Sequence, residues 1–234
     1  MVPDYELYGG GMMFSNEWED RFSQGESQSV WPWTDLIKYV NKYGKVKWGS
    51  KVLELGPGIG ANIPFFLSRG IDYYGIEGSE SAVRAILYKY PELLGKVIVG
   101  DFTENLPFAC HFDLVIDRSS VTHNDTESIK KALRLANAVL NAGGKYIGID
   151  WFSWEHIERE LGDKVDELTF IFNGDSKFSG CGRVHFSTGE HIYTLFKEAG
   201  MSIEVLEHKH VQNELSLKSG GEATWNFVAR GGKK

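Results

Sequence analysis

Apolar and polar positions follow a regular order of short and long segments along the middle of this chain. Five short apolar runs predict buried strands, namely KVLELG (51–56), DYYGIEG (72–78), KVIVGD (96–101), FDLVID (112–117) and KYIGID (145–150). Between them, apolar residues recur at intervals of three and four and predict helices over residues 61–70, 79–91 and 126–144. Strands that alternate with helices of this length predict βαβ units and a parallel sheet. In such sheets, ligands bind beyond the carboxyl ends of the strands.

Residues 1–50 precede the first predicted strand and have a different pattern. Apolar residues such as Trp18 and Phe22 lie three or four positions apart, which is typical of short amphipathic helices. We therefore expect an N-terminal helical cap on a central ligand-binding core that spans residues 51–150.

The regular alternation stops after Asp150. Residues 151–187 combine a predicted helix over 154–168 with a segment rich in glycine and serine. We interpret them as an insertion, because long insertions in compact domains are usually functional or mobile. Residues 188–234 return to regular structure, with a helix and two runs that predict paired antiparallel strands. The chain is therefore predicted to form one α/β domain.

Composition and charge narrow the function. The chain has 234 residues, a formal net charge of -7 and a pI near 5.5, so electrostatics do not support general binding to nucleic acids. Its two cysteines, Cys110 and Cys181, form neither a disulfide framework nor a zinc motif, which favours a reducing compartment. We find no signal-peptide pattern and no long apolar run, so we expect a cytoplasmic protein that does not bind membranes.

The stretch VLELGPGIGANI at residues 52–63 joins the first predicted strand to a helix. Its glycine spacing fits either a dinucleotide or S-adenosylmethionine, because glycines let the backbone approach a ligand closely. Glu54 precedes the first glycine and can hold an ammonium group, which dinucleotides lack. Glu77 ends the second strand and can accept two hydrogen bonds from a ribose diol in either cofactor.

A third acid, Asp101, ends the third strand and is followed by Phe102, so this pair could bind an adenine amino group and flank the ring. The succession ELGPGIG, GIEGS, VGDF and FDLVID resembles the class I S-adenosylmethionine-dependent methyltransferases. This resemblance implies a Rossmann-like, doubly wound α/β sheet of seven strands, mostly parallel with the last strand antiparallel, and S-adenosylmethionine as the cofactor. It assigns to cofactor binding Glu54, Gly56, Pro57, Gly58, Gly60, Glu77, Gly78, Asp101, Phe102 and Asp117. A nicotinamide-dependent oxidoreductase is the alternative.

The residues after the fourth strand bear on the methyl acceptor. This strand ends in DRSSVTHND and lacks the Asn-Pro-Pro or Asp-Pro-Pro sequence expected of enzymes that methylate amino groups of nucleic acids. We expect no metal, because no carboxylate cluster like that of the metal-dependent small O-methyltransferases is evident. The HKH run at 208–210 is interpreted as a solvated strand face. The acceptor is then a small polar molecule, bound on the side of the insertion formed by residues 151–187.

Three residues are candidates for removing a proton from a hydroxyl acceptor. Histidine suits this role near neutral pH, and His123 follows the fourth strand where the active-site loop of the family passes the methyl group. His185, at the end of the insertion, is the second candidate, and Asp117 is the third. The alternative for His123 is a loop histidine that bonds only to the backbone.

Four further residues are candidates for binding the acceptor. Arg118 and Arg183 could each pair with a carboxylate or phosphate, or instead form a salt bridge with a neighbouring acid. Trp31 and Trp33 could line a pocket for a sugar ring, or instead pack the N-terminal helix. Residues 21–37 are similar to a segment of methyltransferases found among bacterial surface-polysaccharide biosynthesis enzymes. We therefore predict O-methylation of a sugar, nucleotide sugar or phosphorylated metabolite, with N-methylation of an amino sugar or amine as the alternative.

Overall fold

The computed structural model of the chain describes residues 16–26, 29–215 and 221–231. These residues form six α-helices, which are α1 (Asn16–Ser23), α2 (Thr34–Tyr39), α3 (Ile63–Leu67), α4 (Glu80–Lys89), α5 (Thr126–Val139) and α6 (Gly189–Glu198). They also form ten strands, which are β1 (Lys51–Leu55), β2 (Asp72–Glu77), β3 (Val97–Val99), β4 (Phe112–Arg118), β5 (Leu140–Phe152), β6 (Asp163–Lys164), β7 (Thr169–Ile171), β8 (Arg183–His185), β9 (Ser202–Val211) and β10 (Glu222–Arg230).

Seven of these strands form one sheet in the order β3-β2-β1-β4-β5-β10-β9. The strands β3, β2, β1, β4 and β5 pair in parallel, whereas β10 pairs antiparallel with both β5 and β9. This confirms the predicted seven-stranded, mostly parallel sheet with an antiparallel last strand. Because β2 and β3 lie on one side of β1 and β4 and β5 lie on the other, the chain winds outward in both directions and leaves a crevice at the carboxyl ends of β1 and β4.

Helices cover both faces of this sheet, as the doubly wound prediction requires. Neighbouring residues of a strand point to opposite faces, so Val52 and Leu53 belong to two different apolar clusters. The cluster around Leu53 includes residues of α5 and α6, and the cluster around Val52 includes residues of α2, α3 and α4. Among the described residues, no helix combines the length and the apolar character that crossing a membrane would take.

The predicted N-terminal helices are present as α1 and α2. Helix α1 has no fully buried residue; its partly buried Trp18 packs against apolar residues of the insertion, and polar contacts hold the helix to α4. The carboxylate of Glu19 accepts hydrogen bonds from the Ser79 hydroxyl at 2.6 Å and from the Ser81 backbone N–H at 3.2 Å. These contacts place α1 over the start of α4.

The insertion differs from its prediction. A helix over 154–168 is wrong, because Ile157–Leu161 form only a short 3-10 turn and β6, β7 and β8 pair as a small antiparallel sheet. Phe170, Phe178 and Phe186 belong to a separate buried cluster under this sheet. The apolar residues of the insertion therefore pack as strands around their own small core rather than along one helical face.

The boundary between α5 and β5 also differs from its prediction. The helix ends at Val139 rather than at residue 144, and β5 begins at Leu140. A register shift between Phe112 and Leu114 of β4 accommodates this early start. At its other end β5 continues past the predicted residue 150 to Phe152, and both Asp150 and Phe152 line a cavity at the carboxyl edge of the sheet.

Candidate active site

A cavity of about 810 Å³ lies at the carboxyl ends of the central strands. We name its two ends by their residues. The glycine end consists of Glu54, Gly56, Pro57, Gly58, Glu77, Asp101 and Phe102. The ion-pair end consists of Asp35, Arg118, Asp150, Lys177, Arg183, Lys209 and Glu222. A cavity of this size is in the range of about 300–1,000 Å³ that is usual for small-molecule sites.

The glycine loop after β1 is shaped by close contacts. Gly56 has a φ of 66°, and a Cβ atom placed on it would lie 2.4 Å from Cβ of Ser120. Gly58 has a φ of 56° and lines the cavity. Gly60, by contrast, does not line the cavity; a Cβ there would lie 2.6 Å from Cδ1 of Ile63. The first two glycines thus shape the cavity wall, whereas Gly60 lets α3 pack closely.

Glu54 is the buried acid beneath this loop. Its carboxylate accepts hydrogen bonds from the Asn62 side-chain amide at 2.7 Å and from the Tyr73 hydroxyl at 2.6 Å. Burial raises the pKa of Glu54 to about 7, against the lowering effect of these two hydrogen bonds. The side-chain oxygen of Asn62 also accepts a hydrogen bond from the Trp33 backbone N–H at 3.2 Å, so Asn62 links the glycine loop to the N-terminal cap.

Glu77 and Asp101 are held by backbone N–H groups. The carboxylate of Glu77 accepts bonds from the N–H of Gly58 at 2.8 Å and of Ser79 at 3.0 Å. Burial raises the pKa of Glu77, although these bonds favour its charged form. Asp101 accepts a bond from the N–H of Thr103 at 2.8 Å. Phe102 follows Asp101 in the cavity wall and is 7% exposed. Gly78 does not line the cavity.

Asp117 does not reach the cavity, contrary to its predicted contact with the ligands. It is fully buried, and its carboxylate accepts bonds from the backbone N–H groups of Ser120 at 2.9 Å and Val121 at 3.0 Å. It also accepts a bond from the indole N–H of Trp151. These contacts turn Asp117 away from the cavity, so that it fixes the loop after β4 instead.

His123 lines the cavity between aromatic neighbours. The rings of Trp18 and Phe152 lie 4.8 and 5.7 Å from its ring centroid. Its Nδ1 lies 3.2 Å from the carbonyl oxygen of Arg183. Because a carbonyl can only accept, the ring carries its proton on Nδ1 and leaves Nε2 as the nitrogen that can take a proton. Burial lowers the pKa of His123 to about 4, so the ring is neutral at pH 7.

His185 is not part of this cavity. It is fully buried, with its Nδ1 3.0 Å from the hydroxyl of Thr169 and its Nε2 3.4 Å from Nδ1 of His191. Burial lowers the pKa of His185 to about 3. The structure therefore separates the two predicted histidines, since only His123 is placed where a ligand could meet it.

Arg118 and Trp33 meet at the ion-pair end. The guanidinium carbon of Arg118 lies 3.5 Å from the centre of the Trp33 ring, and its Nε lies 3.2 Å from a carboxylate oxygen of Asp150. The other carboxylate oxygen of Asp150 lies 3.1 Å from Nζ of Lys209, which also bonds to Asp35. Asp150 has a φ of 56°, a conformation that is uncommon outside glycine and often found at functional sites.

Arg183 and Trp31, the two remaining residues predicted to bind the acceptor, differ in whether they line the cavity. Arg183 lines the cavity, and its Nε lies 3.8 Å from a carboxylate oxygen of Asp125. Trp31 is 79% exposed and does not line the cavity, so the structure gives it no contact with a ligand there.

Sequence reasoning missed several cavity residues. Lys209 lies in the HKH run, where strand alternation could have placed it opposite its two histidines. Asp35 and Glu222 lie in no sequence motif that would mark them as site residues. Each can be recognised only from the distant lysine with which it pairs in the folded protein. The residues missed include Trp18, Phe22, Asp35, Asn62, Asp150, Phe152, His156, Lys177, Phe178, Lys209 and Glu222.

The glycine end fits S-adenosylmethionine. Positive φ angles at Gly56 and Gly58 bring the backbone to the cavity wall, where side chains would intrude. Glu54 offers a buried carboxylate for an ammonium group, and Glu77 offers one for a diol. Asp101 and Phe102 present an acceptor and a ring beside them.

Comparison with known proteins agrees with this fit. Residues 52–144 match the family profile described as a methyltransferase domain. No curated protein matches the chain. Among solved structures, an S-adenosylmethionine-dependent methyltransferase from Methanosarcina mazei is 14% identical, with a TM-score of 0.65 over 88% of this chain and 100% of that one. A second from Clostridium acetobutylicum is 17% identical, with a TM-score of 0.60 over 93% and 92%. The Burkholderia thailandensis 1,6-didemethyltoxoflavin-N1-methyltransferase, solved with S-adenosylhomocysteine, is 15% identical, with a TM-score of 0.61 over 93% and 84%.

Residues 52–144 are therefore a methyltransferase domain, set in a fold shared with solved S-adenosylmethionine-dependent methyltransferases. The predicted enzyme class and cofactor are therefore confirmed. The nicotinamide-dependent oxidoreductase that the glycine spacing left open is set aside by the same match.

Proposed function

We propose that this enzyme methylates a hydroxyl of a small polyhydroxylated acceptor, such as a sugar, a nucleotide sugar or a phosphorylated metabolite. The observation that carries the proposal is the shared cavity, in which the glycine end is continuous with His123 and the ion-pair end. A cavity that can hold both reactants allows an in-line transfer, where much of the acceleration comes from orientation.

We assign the cofactor to the glycine end. Bound S-adenosylmethionine supplies an electrophilic methyl group. Glu54 would face the ammonium group of its methionine part, and Glu77 would accept hydrogen bonds from its ribose hydroxyls. Asp101 would bind the adenine amino group, with Phe102 against the ring. Each assignment rests on a carboxylate or ring that already lines the cavity.

We assign the acceptor to the ion-pair end. Arg118, Lys209 and Lys177 each face an acid there, so cationic donors and anionic acceptors alternate along the wall. Hydroxyl groups both donate and accept hydrogen bonds, and an alternating wall can satisfy both roles at once. The face of Trp33 is partly covered by Arg118, so this pair forms one surface against which a sugar ring or another planar group could lie.

We assign the role of base to His123. Its Nδ1–H is held by the Arg183 carbonyl, which orients the ring and directs Nε2 to accept the proton of the attacking hydroxyl. The two aromatic neighbours help to bury the ring, and burial keeps it neutral at pH 7. Asp117 contributes indirectly, because it holds the loop that precedes His123.

N-methylation of an amino sugar or amine is the second candidate. The observation in its favour is the pKa of about 4 for His123, since such an imidazole is a weak base. A neutral amine attacks through its own lone pair and needs less help from a base. The same cavity would then act mainly by orienting the two reactants.

The experiment is a transfer assay with isotope-labelled methyl groups and three panels of acceptors. The panels are nucleotide sugars and sugar phosphates, free sugars, and amino sugars with simple amines. We expect methylated product in one of the first two panels, with the methyl group on oxygen by mass spectrometry of fragments. Product only in the amine panel would replace O-methylation by N-methylation.

A role in bacterial surface-polysaccharide synthesis is the biological setting that we propose. It is supported by the similarity of residues 21–37 noted above and by a cavity wall suited to hydroxyl groups. The free thiols of Cys110 and Cys181 are consistent with action in the cytoplasm, where we place the reaction. Product formation from nucleotide sugars, rather than from unrelated metabolites, would support this setting.

A further inference from the structure

Two histidines and a glutamate meet on the surface of the outermost strand, outside the cavity. His208 and His210 lie on β9 two residues apart, so both side chains leave the same face of the strand. Lys209 between them lines the cavity, which places the histidines on the opposite side. The turn after β5 brings Glu155 to them, and this contact between distant residues was not visible in the HKH pattern alone.

The spacing of their polar atoms suits a metal ion. Nδ1 of His208 and Nε2 of His210 are 3.1 Å apart, and that Nε2 is 3.5 Å from a carboxylate oxygen of Glu155. One ligand atom from each of the three residues lies within 4.8 Å of the others. Tetrahedral zinc with bonds of about 2.0–2.1 Å to nitrogen and oxygen separates its ligand atoms by about 3.3 Å. The separations of 3.1 and 3.5 Å bracket this value.

The first histidine is held in the orientation that a metal ligand needs. Nε2 of His208 lies 2.8 Å from the hydroxyl oxygen of Ser153, and its ring stacks on Trp225 with the ring centres 3.8 Å apart. If Nε2 of His208 carries the proton and donates it to Ser153, Nδ1 is unprotonated and faces His210. Metal-bound histidines usually have such a partner on their second nitrogen.

The hydroxyl of Ser153 also positions the turn that carries the Glu155 carboxylate. The oxygen of Ser153 accepts a hydrogen bond from the backbone N–H of Glu155 at 3.2 Å, and Ser153 is only 1% exposed. One buried hydroxyl therefore orients both His208 and the turn that carries Glu155.

We propose that Glu155, His208 and His210 form a binding site for a divalent transition-metal ion, for which Zn²⁺ is the best match. Two imidazoles and one carboxylate are a ligand set that zinc commonly takes, and the fourth position would hold water. To bind, His210 must carry its proton on Nδ1, so that Nε2 is available. The metal would fasten the turn after β5 to the edge strand β9. This role is structural, because the site lies on the face of β9 that is turned away from the cavity.

The test uses the full chain without a polyhistidine tag, freed of metal by a chelator and titrated with Zn²⁺. We expect one Zn²⁺ per chain with a dissociation constant below about 10 µM, and a melting temperature raised by about 5 °C at a hundredfold excess over that constant. His210→Gln should abolish this binding, because it removes one of the two imidazole ligands. The variant should still fold, because the exposed side chain can be changed without disturbing the core. His111→Gln is the matched control, since His111 is also exposed and lies just before β4.

A second variant guards against misfolding of the first. Glu155→Gln should weaken Zn²⁺ binding by at least about tenfold, since a neutral amide is a much poorer zinc ligand than a carboxylate. The proposal is overturned if wild-type protein shows no saturable binding up to about 100 µM Zn²⁺, or if His210→Gln binds as tightly as His111→Gln. These readouts are metal content and melting temperature, so they do not depend on the methyl acceptor.

Discussion

The glycine end and the ion-pair end of the cavity are held together in different ways. At the glycine end, carboxylates accept hydrogen bonds from backbone N–H groups nearby in the chain, as Glu77 does from Ser79 and Asp101 from Thr103. At the ion-pair end, charged side chains pair across the fold. Lys209 bonds to Asp35 over a sequence separation of 174 residues and to Asp150 over 59.

This difference suggests that the two ends of the cavity bind different ligands. Backbone donors cannot rotate, so the glycine end is preorganised for one ligand. Side-chain ion pairs near the surface are weaker and can exchange partners, so the ion-pair end can open its pairs to hydroxyl groups of an acceptor. We therefore expect substitutions at the two ends to separate cofactor affinity from acceptor use.

The largest effect should come from His123, which lines the same cavity as the two ligand sites that we propose. His123→Asn keeps a donor for the Arg183 carbonyl but cannot take up a proton. With a hydroxyl acceptor we expect turnover to fall by about 10² to 10⁴, the usual contribution of a general base, while the affinity for S-adenosylmethionine stays unchanged. Steady-state kinetics and calorimetry measure the two quantities.

His185→Asn is the control for this substitution. It should lower the melting temperature, because it disturbs a buried contact with Thr169, but it should leave the turnover of folded enzyme within about threefold of wild type. A loss below about tenfold in His123→Asn would remove histidine from the mechanism and favour an amine acceptor.

The second-largest effect is expected at the glycine end, where an added side chain would crowd the backbone and weaken cofactor binding. Gly56→Ala places a Cβ atom 2.4 Å from Ser120 at a φ of 66°, so the loop after β1 or the loop after β4 must shift. We expect the affinity for S-adenosylmethionine to fall by at least about 100-fold, as measured by calorimetry.

Gly95→Ala separates crowding from backbone strain. Gly95 has a φ of 76° but no atom within 4 Å of an added Cβ. It should cost about 1 kcal/mol of stability and leave cofactor affinity intact. Equal affinity in the two variants would show that the glycine loop does not bind the cofactor.

A smaller effect is expected at the ion-pair end. Lys209→Met removes the cation shared by Asp35 and Asp150 and leaves the two acids unpaired. We expect KM for the acceptor to rise by about tenfold, the worth of one hydrogen bond to a charged group, with no change in cofactor affinity. Lys131→Met, which breaks an exposed pair with Glu104, should change neither quantity. A fall in cofactor affinity in Lys209→Met would contradict the separation of the two ends.

The smallest effect is a pH dependence of cofactor binding. The pKa of Glu54 is about 7 in the free protein, so its carboxyl is increasingly protonated as pH falls below 7. A cationic ammonium group favours the charged form, so binding must release this proton. We expect the affinity for S-adenosylmethionine to fall by about fivefold from pH 7 to pH 6. Calorimetry at the two pH values gives this ratio, and Glu54→Gln should remove the dependence. A wild-type affinity that does not change with pH would place the ammonium group elsewhere.

The sequence by itself determined the sheet and the glycine end. Strand and helix periodicity predicted the alternating strands and helices and the parallel sheet because each element buries its own apolar face, and the resemblance to class I methyltransferases implied seven strands. The glycine loop, Glu77 and Asp101 could be recognised because their contacts join residues close in the chain, or residues at the ends of adjacent parallel strands. Gly58 and Glu77, for example, follow β1 and close β2, which pair directly.

Only the tertiary structure decided the rest of the site. Asp117 and His185 have the right chemistry and sequence position, but burial against Trp151 and beside Thr169 turns them away from the cavity. Lys209 enters it because the edge strand of the sheet passes beside Asp150. Periodicity reports whether a side chain faces the core, but not which distant residue it will meet. Contacts across tens of residues depend on how whole elements pack, and at the ion-pair end those contacts form the site.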